Sequence, residues 1–151
     1  MTLAVRPSTV EVFVRREFAA PREVVFAAWT DERLIGRWWA PHTYTTLTCT
    51  MDVRPGGAWS RRLMAPDGTL LSEHGIYREV VAPERLVFTY SSEGGRIVDR
   101  ETLVTVTFID RGPRTVLTLR HSELPTEEAR SLHDKGWARC LDRFTTTLPE
   151  N

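Results

Sequence analysis

Pro125-Thr126-Glu127-Glu128-Ala129-Arg130-Ser131-Leu132-His133-Asp134-Lys135-Gly136-Trp137-Ala138-Arg139-Cys140-Leu141-Asp142-Arg143-Phe144-Thr145-Thr146-Thr147-Leu148-Pro149 decides the fold, because it reads as one long amphipathic helix. Thr126 can cap the free amides of the first turn, Glu127 and Glu128 suit the positive end, and Pro149 cannot continue the ladder. The spacing predicts a helix from about 126 to 147, roughly 30 Å long at about 1.5 Å per residue. At roughly 100° per residue, Ala129, Leu132, His133, Gly136, Trp137, Cys140, Leu141, Phe144 and Leu148 share one half of the cylinder. The middle of that face holds Ala129, His133, Gly136 and Cys140, all small except the histidine, with bulky Leu132, Trp137, Leu141 and Phe144 to the sides. Either this arrangement leaves a hollow beneath the helix, or the small residues let helix and sheet approach closely.

Working back from the helix, the chain is almost all strand. Glu101 to Ile109 and Thr115 to Glu123 alternate, with Val104, Val106, Phe108, Leu117, Leu119 and His121 as the expected inward faces. Leu86 to Ser91, Leu70 to Val81 and Ala58 to Met64 precede them, divided by Gly94-Gly95, Pro66-Asp67-Gly68 and Pro55-Gly56-Gly57. From Thr43 on, Leu47, Cys49, Met51 and Val53 are expected on one face and Thr46, Thr48, Thr50 and Asp52 on the other. Further back, Val10 to Phe18 is a strand. Pro21 opens a helix holding Val24, Val25, Ala28 and Trp29, and Thr30 or Asp31 caps a second helix, Glu32 to Trp38, closed by Ala40-Pro41. The order is strand, two short helices, six strands in an antiparallel meander, long helix. It predicts an α+β fold in which a strongly curved seven-stranded sheet wraps one helix on its concave face.

Length and composition agree with that outline. A chain of 151 residues suits one domain spanning 1–151 and burying roughly 70% of its unfolded surface, with residues 1–9 as a flexible N-terminus. Formal charge is zero and the basic residues are scattered, which argues against nucleic acid. The run Met1 to Pro7 has no apolar signal core and no stretch approaches the roughly 20 apolar residues of a membrane span, so a cytoplasmic location without membrane insertion is expected. Cys49 and Cys140 are the only cysteines, read as buried reduced thiols. No close pair of Cys, His or carboxylates has ligand spacing, so neither a metal nor a cofactor is expected. The serines lack a Gly-x-Ser-x-Gly context, and the paired glycines sit between strands rather than before a helix, so no nucleophile elbow or phosphate loop is present.

Several stretches in register carry a family likeness: Phe18-Ala19-Ala20-Pro21-Arg22-Glu23-Val24-Val25-Phe26-Ala27-Ala28-Trp29-Thr30-Asp31, Trp38-Trp39-Ala40-Pro41, Asp52-Val53-Arg54-Pro55-Gly56-Gly57, Pro66-Asp67-Gly68, Pro83-Glu84-Arg85-Leu86-Val87-Phe88-Thr89 and His133-Asp134-Lys135-Gly136-Trp137. Together they resemble the bacterial AHSA-type proteins, relatives of the C-terminal domain of the activator of the heat-shock protein 90 ATPase, within the START-like (SRPBCC) superfamily. The resemblance implies a helix-grip fold, often with a cavity for an apolar ligand between sheet and helix. It implies no particular reaction. A homodimer and a chaperone partner stay open, the latter on the resemblance alone.

The residues expected to line such a cavity follow from their chemistry. His133 lies mid-way along the buried helix face, where an unpaired polar group costs about 1–3 kcal/mol. It is either a polar anchor or general base for a small molecule, or a core histidine bonded to a strand residue. Trp38, Trp39, Trp59, Tyr77, Tyr90 and Trp137 supply rings that line a pocket or simply fill the core. Trp38 and Trp39, as neighbours on a short helix, are not both expected inward. Met51, Met64, Phe88, Gly136 and Cys140 complete an apolar lining, with His121 as a second polar candidate. Of adjacent Arg61 and Arg62 one must face the concave side, to grip a carboxylate or to pair with Glu73 across the hairpin at Pro66-Asp67-Gly68. These features point to a binder of a small hydrophobic molecule without assigned catalytic residues. The alternatives are a cyclase, hydrolase or isomerase using His133 or His121 as acid/base, and an ATPase activator of a heat-shock protein 90 type chaperone.

Overall fold

Alternation of side chains decides which face of each strand leaves water. In β6 (Thr102–Arg111) residues 102, 104, 106 and 108 are buried while 103, 105 and 107 are half-buried, and β7 (Arg114–Leu124) buries Leu117, Leu119 and His121. The computed structural model describes residues 10–39, 43–94 and 101–148. The predicted flexible N-terminus 1–9, Ala40-Pro41, Gly95 and Pro149 lie outside the described residues. Before β6 come β1 (Val10–Phe18), α1 (Arg22–Thr30), α2 (Glu32–Ile35), β2 (Thr45–Met51), β3 (Ala58–Met64), β4 (Leu70–Val81) and β5 (Arg85–Glu93). After β7 comes α3 (Glu127–Thr147).

The strands form one antiparallel seven-stranded sheet in the order β1-β7-β6-β5-β4-β3-β2. β2 to β7 are a meander, and β1 closes beside the last strand. The fold is α+β, the helix-grip arrangement expected. Gly68 has φ 89°, a left-handed conformation that L side chains rarely adopt, so the β3–β4 turn falls where Pro66-Asp67-Gly68 puts it.

The core condenses around aromatic rings. Phe18 meets Phe144 of α3 at 4.9 Å between centroids, and Phe26 of α1 meets Phe108 of β6 at 5.2 Å. Thr126 caps α3, its hydroxyl accepting from the Ala129 amide at 3.0 Å, an interaction worth about 1 kcal/mol. At the surface, Arg16 of β1 donates to Asp142 of α3 at 2.7 Å, joining the helix to the sheet edge.

Four local expectations are corrected. Pro21 does not begin α1; it precedes it with extended backbone, ψ 156°, in the capping position. α2 ends at Ile35 rather than Trp38, and the turn that follows turns both Trp38 and Trp39 inward, so both are buried, at 0% and 7% exposure. The argument that neighbours on a helix diverge does not apply once the helix has stopped. Leu47 is 43% exposed, because a bulge between Thr46 and Thr48 inserts it as an unpaired residue and shifts the alternation. Cys49 and Met51 beyond the bulge still pack against the core, although Cys49, expected buried like Cys140, is only half-buried at this edge strand.

Candidate functional site

α3 does not lie evenly over the sheet. It approaches β1 most closely and β7 next. On its other flank a pocket of about 340 Å³ opens toward β3, β4 and β5. One wall comes from α3, with Leu132, His133, Lys135, Gly136, Trp137, Arg139 and Cys140; the other comes from Arg61 of β3, Leu71 and Glu73 of β4, and Tyr90 and Ser92 of β5, with Trp39 and Tyr44 alongside. At Gly136 an added Cβ would meet nothing within 4 Å, so the helix leaves open space where its smallest residue sits.

The strand wall is polar and internally satisfied. Arg61 and Glu73 are register partners of β3 and β4, both nearly fully buried, so the inward arginine pairs across the hairpin. The Arg61 Nε donates to one Glu73 carboxylate oxygen, the Tyr90 hydroxyl donates to the other, and Arg61 Nη1 donates to the Trp39 carbonyl. The guanidinium also stacks on the Trp39 ring at 4.3 Å. Burial, reinforced by Glu73, pushes the Tyr90 phenol well above its usual range, so it stays protonated and donates.

The two inward histidines have different standing. The Trp137 indole, a donor only, points its N–H at His121 Nδ1 at 3.1 Å, so that nitrogen accepts. Burial, with His133 adding to it, lowers the His121 pKa well below the usual histidine value, so the ring is neutral and Nε2 carries the proton. Nε2 then donates to the Thr102 hydroxyl at 2.7 Å, which donates to the Tyr90 carbonyl at 2.8 Å. His121 thus has both ring nitrogens occupied. His133, whose ring centroid is 4.3 Å from that of His121, is 7% exposed, and its Nε2 is buried with no hydrogen-bond partner among the described residues. Burial lowers its pKa to about 4, with the Glu73 carboxylate opposing, so at neutral pH the ring is uncharged. The Ser92 hydroxyl on the facing strand is likewise buried and without a partner among the described residues.

Trp39, His133, Gly136, Trp137 and Cys140 of the expected lining therefore border this pocket. Trp38, Trp59, Tyr77, Phe88 and His121 do not; they are buried behind it as core. Trp38 donates to the Ala28 carbonyl at 3.0 Å and Trp59 to the Thr89 carbonyl at 3.1 Å. Trp59 reaches that carbonyl across Gly75, where an added Cβ would lie 1.8 Å from the same oxygen. Met51 is half-buried against the core and Met64 is half-buried near the end of β3; neither reaches the pocket. Sequence reasoning missed Tyr44, Leu71, Ser92, Lys135 and Arg139. For the last two a signal existed, since Leu132, Lys135, Gly136 and Arg139 form one stripe at i, i+3, i+4 and i+7.

A second hollow of about 380 Å³ lies among α1, α2 and the end of α3, bordered by Val24, Ala27, Leu34, Trp38 and Leu148. Its walls carry no buried unpartnered polar atom among the described residues. Among those residues, too, no three His, Cys, Asp or Glu side chains converge as a metal site, and no helix is long and apolar enough to cross a membrane.

Residues 19–149 match the family model described as "Activator of Hsp90 ATPase homolog 1-like protein". The chain belongs to this family. This AHSA-type family is placed in the START-like superfamily, and solved structures share the fold. A protein from Chromobacterium violaceum aligns with TM-score 0.85 at 21% identity, covering 94% of this chain and 99% of its own. A protein from Arthrobacter aurescens gives 0.80 at 25%, covering 94% and 88%, and one from Rhizobium loti gives 0.79 at 21%, covering 93% and 97%. No curated protein matches the chain. The AHSA-type fold is thus established by sequence and shape together, and it is consistent with a ligand-binding domain.

Proposed function

We propose that this protein holds a small apolar or aromatic molecule in the pocket between α3 and the β3–β5 side of the sheet. The observation that carries the reading is the His133 Nε2 atom, buried without a partner on the edge of a space with apolar walls at Trp39, Leu71, Leu132, Trp137 and Cys140. An orphaned buried polar group costs about 1–3 kcal/mol, and a guest that reaches it recovers that cost. The volume, about 340 Å³, is at the lower end of the roughly 300–1,000 Å³ of ligand pockets, which favours a compact guest over a long lipid. Catalysis in the same space would ask His133 to act as a base. Among the described residues no carboxylate hydrogen-bonds to its ring to orient it as a base, and binding is the better reading.

The test uses the open space at Gly136. Gly136→Leu should fold, since a helix interior favours leucine over glycine by up to about 1 kcal/mol and the new side chain projects into the hollow. Thermal shift and native mass spectrometry against a panel of small hydrophobic compounds should then find guests for the parent that the variant binds at least tenfold more weakly. A variant that binds them equally well would place the guest elsewhere.

A further inference from the structure

We propose that the guest is an amphipathic anion, an aromatic or short aliphatic carboxylic acid whose body enters the pocket and whose carboxylate stays at the mouth between Lys135 and Arg139. The inference rests on the binding function proposed above and specifies its ligand class.

Lys135 and Arg139 are one turn apart on α3, so both project from the same side of the helix, and both are exposed at the pocket's rim. Neither has a carboxylate within 4.0 Å among the described residues, whereas most of the described arginines do, Arg16 at 2.7 Å and Arg22 at 3.9 Å among them. The lining residues include a third cation, Arg61, and one carboxylate, Glu73, which is already engaged by Arg61 and Tyr90. With His133 uncharged, the lining has an excess of two positive charges in a chain whose formal charge is zero. A site bordered by low-dielectric walls concentrates such a field at its opening and draws in anions. The guanidinium of Arg139 offers a planar fork that matches a carboxylate, and Lys135 adds a compact charge beside it.

Exposed charge is confined to the rim. The buried lining consists of the Trp137 and Trp39 rings and the mutually paired Arg61, Glu73 and Tyr90, and among the described residues its buried side-chain atoms without a partner are the uncharged His133 Nε2 and the Ser92 hydroxyl. A wholly apolar guest would leave the two rim cations unmatched, and a highly charged one would have to bury charge against those rings. A single acid group at one end of a flat body fits both constraints, and a neutral hydroxyl at the other end would meet the His133 Nε2 and the Ser92 hydroxyl.

Three probes with one body test this: 2-naphthoic acid, 2-naphthamide and 2-naphthyl phosphate, titrated by calorimetry into the parent, Gly136→Leu and Lys135→Gln/Arg139→Gln proteins. The acid should bind the parent at least tenfold more tightly than the amide. That ratio should shrink about tenfold in the double variant and also in about 0.5 M salt. A phosphate ester that binds more tightly than the acid would overturn the choice of carboxylate. Equal affinity of acid and amide in the parent, both abolished by Gly136→Leu, would overturn the anionic ligand and leave the pocket reading standing. An acid preference that survives the double variant would overturn the assigned cations. Failure of all three probes to bind the parent would overturn both readings for guests of this size.

Discussion

Glu73→Ala is expected to cost the fold about 3–5 kcal/mol, the range found when one partner of a buried ion pair is removed. The substitution leaves the Arg61 guanidinium buried with only the Trp39 carbonyl as acceptor and the Tyr90 hydroxyl without its acceptor. Each loss is of the costly kind, a desolvated donor with nowhere to donate. Against a total stability of about 5–15 kcal/mol, the variant would sit close to its unfolding threshold. Urea denaturation followed by circular dichroism measures the loss. The Arg61→Met/Glu73→Leu double variant is the control, and it should recover most of the deficit because an apolar pair of similar volume removes the charge and its partner together. A loss below about 1 kcal/mol for Glu73→Ala would mean that water reaches this pair in solution.

Acid should unfold this protein earlier than its carboxylates alone would. His133 is uncharged in the folded state down to about pH 4, while in the unfolded chain it takes up a proton near 6.5. Between those values the unfolded state binds more protons, so stability falls as pH falls, and it is unaffected by this group above 6.5. Over the window the loss is about 3 kcal/mol for His133, at about 1.4 kcal/mol per pH unit. His121, also shifted down, adds to the loss in the same direction. The carboxylates held low by hydrogen bonds from Arg33, Thr69 and Arg130, namely Asp31, Asp67 and Glu127, start from ordinary values of 3.8 to 4.5, so their effect is confined to more acidic solution. Urea midpoints taken at intervals from pH 8 to 4.5 should therefore be flat and then decline below about 6.5. His133→Gln should lower the slope of the decline. A profile flat to pH 4.5 would show that both rings can charge in the folded protein.

The sheet was legible because its information is local. Alternation in Thr102 to Arg111 and Arg114 to Leu124, and turns at Pro66-Asp67-Gly68, are written in neighbouring residues, and α3 carries its own period and its Thr126 cap. The Arg61–Glu73 pair was legible for the same reason, since a short turn sets hairpin register. Leu47 escaped because a one-residue bulge inverts faces without changing composition, and Trp38 because the single Gly36 that caps the end of α2 is a weaker stop signal than Ala40-Pro41. The pocket was half legible. Its helix wall follows from Gly136 and Cys140, but its position depends on α3 docking toward β1 and β7, a tertiary property that no local pattern encodes. That docking turns Lys135 and Arg139 from ordinary surface charges into a rim, and leaves Trp59, Tyr77 and Phe88 behind the wall.

All five tryptophans, Trp29, Trp38, Trp39, Trp59 and Trp137, are buried and linked in one chain of ring contacts from 4.6 to 6.1 Å. Indoles so close and so rigidly tilted couple their electronic transitions, which makes the molecule its own optical gauge. Because Trp39, which touches the other four indoles, and Trp137 both border the pocket, occupancy beside α3 is transmitted to the near-ultraviolet spectrum without any attached dye.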